Sequence, residues 1–369
     1  LIFVVENRSN FTDLSEYQFQ WSMGGQSGIS VTHGQPGQTG TLTIEATGEP
    51  TADQPLKIEA YDVRGVMVDV EAFTPPMQPL PPVKIRREAF TIKRGIGTFM
   101  IRSASLAIEV DRHSGQFRHI HRNGSPVLIG GPTLLMMEQR SSNGDQILNT
   151  PPVLALDERC RDWKAQQVDV AKTAAGVQLH IAGTYQQAAG AYAIDITSSG
   201  IMKVSYNFAV KKAMILWQRG LVFDIPLALG NLSWRREALW SIYPHDHIGR
   251  PVGQASAFSA SPISDAWGSR SRPTWSWSDD NTARGSHDFR STKRNILEAA
   301  LGADGKNTVR VRSDGHQHVR CWVAQDRVRM LIADFVNDGS PTCCTLRIIP
   351  AEHLASGSVV KGTVELEIG

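Results

Sequence analysis

The chain has 369 residues, 41% of them hydrophobic and 20% charged, with 38 Lys+Arg against 36 Asp+Glu for a formal net charge of +2. That length exceeds one ordinary core and predicts two domains. A near-neutral balance gives no long-range field for nucleic acid or an anionic membrane surface, and no apolar run approaches the roughly 20 residues that a bilayer-spanning helix needs.

The chain opens on Leu1-Ile2-Phe3-Val4-Val5, an apolar stretch without a basic flank or a small-residue cleavage site, and without an initiator Met. It reads as a strand rather than a signal peptide, in a chain expected to be cut from the middle of a longer polypeptide. Alternating runs follow. Tyr17, Phe19 and Trp21 alternate with glutamines; Leu42 pairs with Ile44, and Leu56 with Ile58; Val66, Val68 and Val70 come next. Turn material separates them at 23–25, 33–37, 47–50 and 64–65. Short strands at this spacing predict an immunoglobulin-like β-sandwich over residues 1–74.

Five prolines fall between Pro75 and Pro82. Proline cannot donate to a ladder or continue a helix, so 75–83 is expected to be a semi-rigid linker. Beyond it, period-2 alternation resumes in Leu106/Ile108/Val110, Val177/Leu179/Ile181, Met202/Val204/Tyr206/Phe208 and Leu221/Phe223/Ile225. It continues through Val309/Val311 and Leu346/Ile348 to Val364/Leu366/Ile368. Ile296–Leu301 fits a short helix and a strand equally. Nearly 290 residues of strand and turn without an internal repeat predict one large β super-sandwich over 84–369, so the fold class is all-β throughout.

Alternation fails between about 240 and 295, where Trp240, Trp267, Trp275 and Trp277 stand among Ser, Gly, Asp and Arg. Long irregular segments in compact domains are commonly binding loops. The candidate carbohydrate-groove residues are Tyr243, His245, Asp246, His247, Arg250, Trp267, Trp275, Trp277, Asp288 and Arg290. Indoles two apart on a strand share a face against which a sugar ring can pack, while Asp, Arg and His bond its hydroxyls. The bland alternative is that Trp275 and Trp277 are core.

His245-x-His247 lacks a third ligand at a recognisable interval, so no metal site is assigned; His316-x-His318 reads as a solvated strand edge. Asp279 and Asp280, as sequence neighbours, would point apart on a strand and are not taken for a glycosidase dyad. There is no phosphate-binding loop, no dinucleotide fingerprint and no nucleophile elbow, so no cofactor is expected. Cys160, Cys321, Cys343 and Cys344 form no Cys-x-x-Cys pair.

Several stretches resemble the C-terminal half of family 2 glycoside hydrolases, the β-galactosidases. Val4-Val5-Glu6-Asn7-Arg8-Ser9-Asn10-Phe11-Thr12-Asp13-Leu14, followed by Tyr17–Trp21, is similar to the opening of their immunoglobulin-like domain. Leu106–Gly115 is similar to the first hairpin of the next, galactose mutarotase-like super-sandwich domain. Gly130-Gly131-Pro132-Thr133-Leu134 resembles its Gly-Pro-x-Leu turn, and Gly285–Lys293 a Gly-x-x-Asp-Phe-Arg-x-Thr-Lys run of some members. Where well-known members carry Trp-Tyr-Gly-x-Gly-Pro-x-Glu, this chain has Trp240-Ser241-Ile242-Tyr243-Pro244-His245-Asp246, so the resemblance implies no particular sugar.

What the resemblance implies is a non-catalytic portion. In that family the catalytic glutamates lie on a preceding (β/α)8 barrel, and no residue here matches them. The barrel of the parent chain and carbohydrate are the implied partners, and the last domain would support the barrel and help shape its pocket. Two rivals remain open on the sequence: a free-standing carbohydrate-binding module, and a mutarotase- or lyase-like enzyme for which Tyr243 and His245 are the neighbouring candidates.

Overall fold

The structure is a computed structural model that describes residues 1–51, 54–73, 89–138, 159–237, 251–257, 292–302, 308–336 and 352–369. Its contacts divide the chain into two compact units, Leu1–Val83 and Lys84–Gly369.

The first unit contains β1 (Ile2–Glu6), β2 (Gln18–Met23), β3 (Gln26–Ser30), β4 (Thr39–Thr43), β5 (Leu56–Tyr61) and β6 (Met67–Phe73). β1 pairs with β4, and the other four form an antiparallel sheet in the order β3-β2-β5-β6. Alternation does the work here. Phe19, Trp21 and Met23 of β2 turn inward with Leu56, Ile58 and Ala60 of β5, and Leu14, Leu42 and Ile44 complete the core. The β2–β3 hairpin turns on Gly24 and Gly25, whose φ values of 53° and 82° belong to a two-residue turn that L side chains rarely enter. The result is the two-sheet sandwich expected of this segment.

The Val66/Val68/Val70 run forms no buried face: Val66 and Val68 are 52% and 49% exposed. Among the described residues β6 pairs with β5 alone, at the margin of its sheet, so alternation there marks a strand and not a core contribution.

The second unit begins with a five-stranded antiparallel sheet of β7 (Thr91–Arg94), β8 (Thr98–Arg102), β9 (Leu106–Asp111), β10 (Phe117–Arg122) and β11 (Ser125–Leu128), paired in sequence order. The chain continues through β12 (Gly130–Glu138), β13 (Lys164–Lys172), β14 (Gly176–Thr184), β15 (Ala188–Thr197), β16 (Ile201–Val210) and β17 (Met214–Pro226). Then come β18 (Asn231–Arg236), β19 (Val252–Ser256), β20 (Thr292–Lys293), β21 (Ile296–Gly302) and β22 (Thr308–Arg312). β23 (His318–Ala324), β24 (Arg327–Val336), β25 (Glu352–Leu354) and β26 (Val359–Ile368) close the unit.

A six-stranded sheet runs β12-β17-β24-β23-β20 with β25 beside β17. A nine-stranded sheet runs β13-β14-β15-β16-β26-β22-β21-β18-β19. Among the described residues every pairing is antiparallel, as a fold built of hairpins and long returns permits. One large core joins the three sheets. Leu221, Phe223 and Ile225 enter it from the six-stranded sheet, Val364, Leu366 and Ile368 from the nine-stranded one, and Leu106, Ile108 and Val110 from the five-stranded one. This is an all-β super-sandwich. Ile296–Leu301 resolves as a strand, because β18 and β22 offer ladders on both of its sides.

Candidate functional site

All ten candidate groove residues, Tyr243, His245, Asp246, His247, Arg250, Trp267, Trp275, Trp277, Asp288 and Arg290, lie outside the described residues, as do Cys343 and Cys344. Their anchor points are described. The Arg236 N–H donates to the Pro251 carbonyl at 2.9 Å, which closes the β18–β19 pair below residues 238–250. The Glu237 N–H donates to the Asn295 carbonyl at 2.8 Å, just past the return of 258–291. Glu237, Pro251 and Asn295 therefore meet at one end of β18, while Ala257 lies at its other end, beside Gly230.

Around Asn295 the structure gathers polar side chains. The Asn295 N–H donates to His318 Nδ1 at 3.0 Å, and its amide nitrogen to the Gly315 carbonyl at 3.0 Å. His318 is not the solvated edge its spacing predicts. Burial, then the charge of Arg294, pushes its pKa down to about 4, so the ring stays neutral and accepts the Asn295 bond. Gln317 bridges outward from here, donating to Asp334 Oδ1 at 2.8 Å and to the Thr363 carbonyl at 2.9 Å.

Asp334 continues the chain. It accepts the Tyr206 hydroxyl, which in turn accepts Arg219 Nη1 at 2.9 Å. Arg219 grips Glu352 through Nε and Nη2, each at 3.0 Å. Gln317, Asp334, Tyr206, Arg219 and Glu352 thus form one hydrogen-bonded row. Tyr206 stands on the nine-stranded sheet, while Arg219, Asp334 and Glu352 stand on the six-stranded one. The row ties the two sheets together.

Its chemistry is that of a clamp. Burial, reinforced by the Asp334 charge, drives the Tyr206 pKa far above the ordinary phenol range, so the phenol keeps its proton and cannot act as a base. Burial opposes the Arg219 charge, but Glu352, Tyr206 and Asp334 outweigh it and raise the guanidinium pKa. The donors reaching both carboxylates are guanidinium, amide and buried phenol, none of which gives up a proton near neutral pH.

Two fully buried cations lie close by. Lys293, one of the two described residues of the 285–293 motif, is 0% exposed, with its ammonium 4.6 Å from the centre of the Trp234 ring. Arg320, 1% exposed, stacks 4.4 Å over Trp322 and donates to Gln218 Oε1 at 2.8 Å. Stacking on indole replaces part of the hydration such charges lose. Burial holds the Cys160 and Cys321 thiols at a pKa of about 12, leaving no reactive thiolate. Among the described residues no group of three or more His, Cys, Asp or Glu is placed to hold a metal ion, and no helix is long and apolar enough to cross a membrane.

The alternation pattern hid this row. Tyr206 sits in register with Met202, Val204 and Phe208 and reads as core. The usable signal was a charge at an inward position: Arg219 two before Leu221, and Asp334 two after Ile332.

No family model and no curated protein matches the chain. Among solved structures, a galactose mutarotase-like protein from Lactobacillus casei is similar at 12% identity, over 74% of this chain and 100% of that one, with a TM-score of 0.40. The 4-alpha-glucanotransferase from Thermococcus litoralis is similar at 10% identity over 76% of this chain, which spans 40% of that enzyme, with a TM-score of 0.39. A beta-arabinopyranosidase is similar at 11% identity, with the same coverage and a TM-score of 0.33. These are distant likenesses of shape, and they give no residue a role.

Proposed function

We propose that this chain is the non-catalytic C-terminal portion of a glycoside hydrolase of the β-galactosidase type, supporting a (β/α)8 barrel and lending its 238–291 segment to a sugar pocket. The observation that carries the reading is where the family-like segments fall. The Asn7 segment builds a turn: its side chain, 2% exposed, donates to the Thr12 and Gly34 carbonyls at 2.8 and 2.7 Å and accepts from Ser9. The Leu106–Gly115 segment supplies β9 and an Asp111-centred turn into β10. Gly130-Gly131-Pro132 opens β12, with a cis Gly131–Pro132 bond and a break in register. The Asn7 segment opens the first unit and Gly130-Gly131-Pro132 opens a strand, in keeping with the resemblance, whereas the β7–β8 hairpin precedes Leu106–Gly115, which is thus not the first hairpin of its unit. Residues 75–83 would join two independently folding units.

The clamp chemistry supports the same reading, since the row from Gln317 to Glu352 offers rigidity rather than proton transfer. Titration of galactose and lactose, followed by calorimetry, tests whether the pocket is complete. A half-site buries too little ligand surface, so binding at millimolar Kd or weaker is expected, about −4 kcal/mol at most. Micromolar binding would favour a free-standing carbohydrate-binding module instead.

A further inference from the structure

The five-stranded sheet carries a histidine pair that the reading above does not use. β10 includes Arg118-His119-Ile120-His121, and Ile120 is fully buried, so both imidazoles stand on the outer face. His119 lies across from Glu109 and His121 from Ala107, whose small side chain leaves room beside the ring. Together with Arg102, Ser105 and Asn123 they line a surface hollow of about 420 Å³.

The ring centroids are 5.8 Å apart, and the planes are inclined by 47°. An imidazole nitrogen sits about 2.0–2.1 Å from Zn²⁺, with the ring centroid roughly 1.1 Å behind it, so two imidazoles on one tetrahedral ion hold their centroids about 5.2 Å apart. The observed separation exceeds that value by about 0.6 Å, so the rings would have to draw together slightly or the N–metal–N angle open to about 130°. A β-strand gives this spacing directly, because residues i and i+2 project from the same face.

We propose that His119 and His121 chelate one borderline divalent cation, Zn²⁺ or Cu²⁺, in this hollow. Imidazole nitrogen selects such ions over Mg²⁺ and Ca²⁺, which prefer oxygen ligands. Glu109, across from His119, pairs with Arg118 at 3.6 Å and is not counted as a ligand. Two protein ligands are fewer than the four of a structural zinc site or the three of a catalytic one, so the proposed site is a weak, exchangeable one.

Calorimetric titration of Zn²⁺ into the untagged full chain tests this, with His119→Gln, His121→Gln and a His245→Gln/His247→Gln double variant in parallel. The parent and the double variant are expected to bind Zn²⁺ alike, whereas each single variant loses roughly tenfold or more in affinity. Mg²⁺ is expected to give no heat at the same concentrations. Unchanged Zn²⁺ affinity in both single variants, loss confined to the double variant, or no Zn²⁺ binding by the parent would each overturn the proposal.

Discussion

Arg219 Nη1 donates to the Tyr206 hydroxyl at 2.9 Å, and that hydrogen bond joins the six-stranded sheet to the nine-stranded one. Tyr206 is 3% exposed. Removing its hydroxyl leaves Arg219 and Asp334 each short of a partner in a poorly solvated place. Tyr206→Phe is expected to cost about 1–3 kcal/mol, read as a lower urea midpoint at unchanged m-value.

Gly362 faces Tyr206 across the β16–β26 ladder, and a Cβ there would come within 2.7 Å of Tyr206 Cε1 and closer still to the Asp334 carboxylate. Gly362→Ala therefore disturbs the same row without deleting a polar atom. A loss of about 1–3 kcal/mol is expected from overpacking. Because the two sites touch, the Tyr206→Phe/Gly362→Ala double variant should lose less than the sum of the single losses.

His318 sets a pH dependence. Its folded pKa of about 4 lies below the ordinary imidazole value of 6.5, so between those values the unfolded chain binds a proton that the folded chain does not. Stability from this group is complete above about pH 6.5 and declines as pH falls towards 4, by roughly 3 kcal/mol at most. His318→Gln, which retains an acceptor for the Asn295 N–H, is expected to flatten that part of the stability profile relative to the parent.

Asp111 acts in a lower window. Burial opposes its charge, but the Ser114 N–H, Arg118 and the His113 N–H outweigh it and lower its pKa from 3.8 to about 2. Its contribution is present above pH 3.8 and is lost as pH falls through 2, so Asp111→Asn is expected to destabilise by about 1–2 kcal/mol at pH 7. Hydrogen exchange at the His113 and Ser114 amides, which the carboxylate accepts at 2.8 Å each, should speed up accordingly.

The fold was legible because period 2 leaves a plain trace. Val364, Leu366 and Ile368 read as one face of a strand, and all three are fully buried. Val66 and Val68 show the limit of that trace, since alternation cannot tell an edge strand from a core strand. Ile296–Leu301 shows another limit, because only its neighbours on both sides make it a strand. The clamp was hidden for a different reason: Tyr206, Asp334 and Glu352 are far apart in sequence, and their meeting depends on how the two sheets are stacked. His318 was misread because spacing gives the face of a strand but not what covers it.

As a non-catalytic portion, the chain is expected not to hydrolyse glycosides by itself. The direct measurement is turnover of nitrophenyl β-galactoside by the purified full chain, set beside Tyr206→Phe and Tyr243→Phe/His245→Gln variants. No release of nitrophenol above background is expected in any sample. Turnover that stays with the parent chain through purification and falls in one of the variants would contradict it.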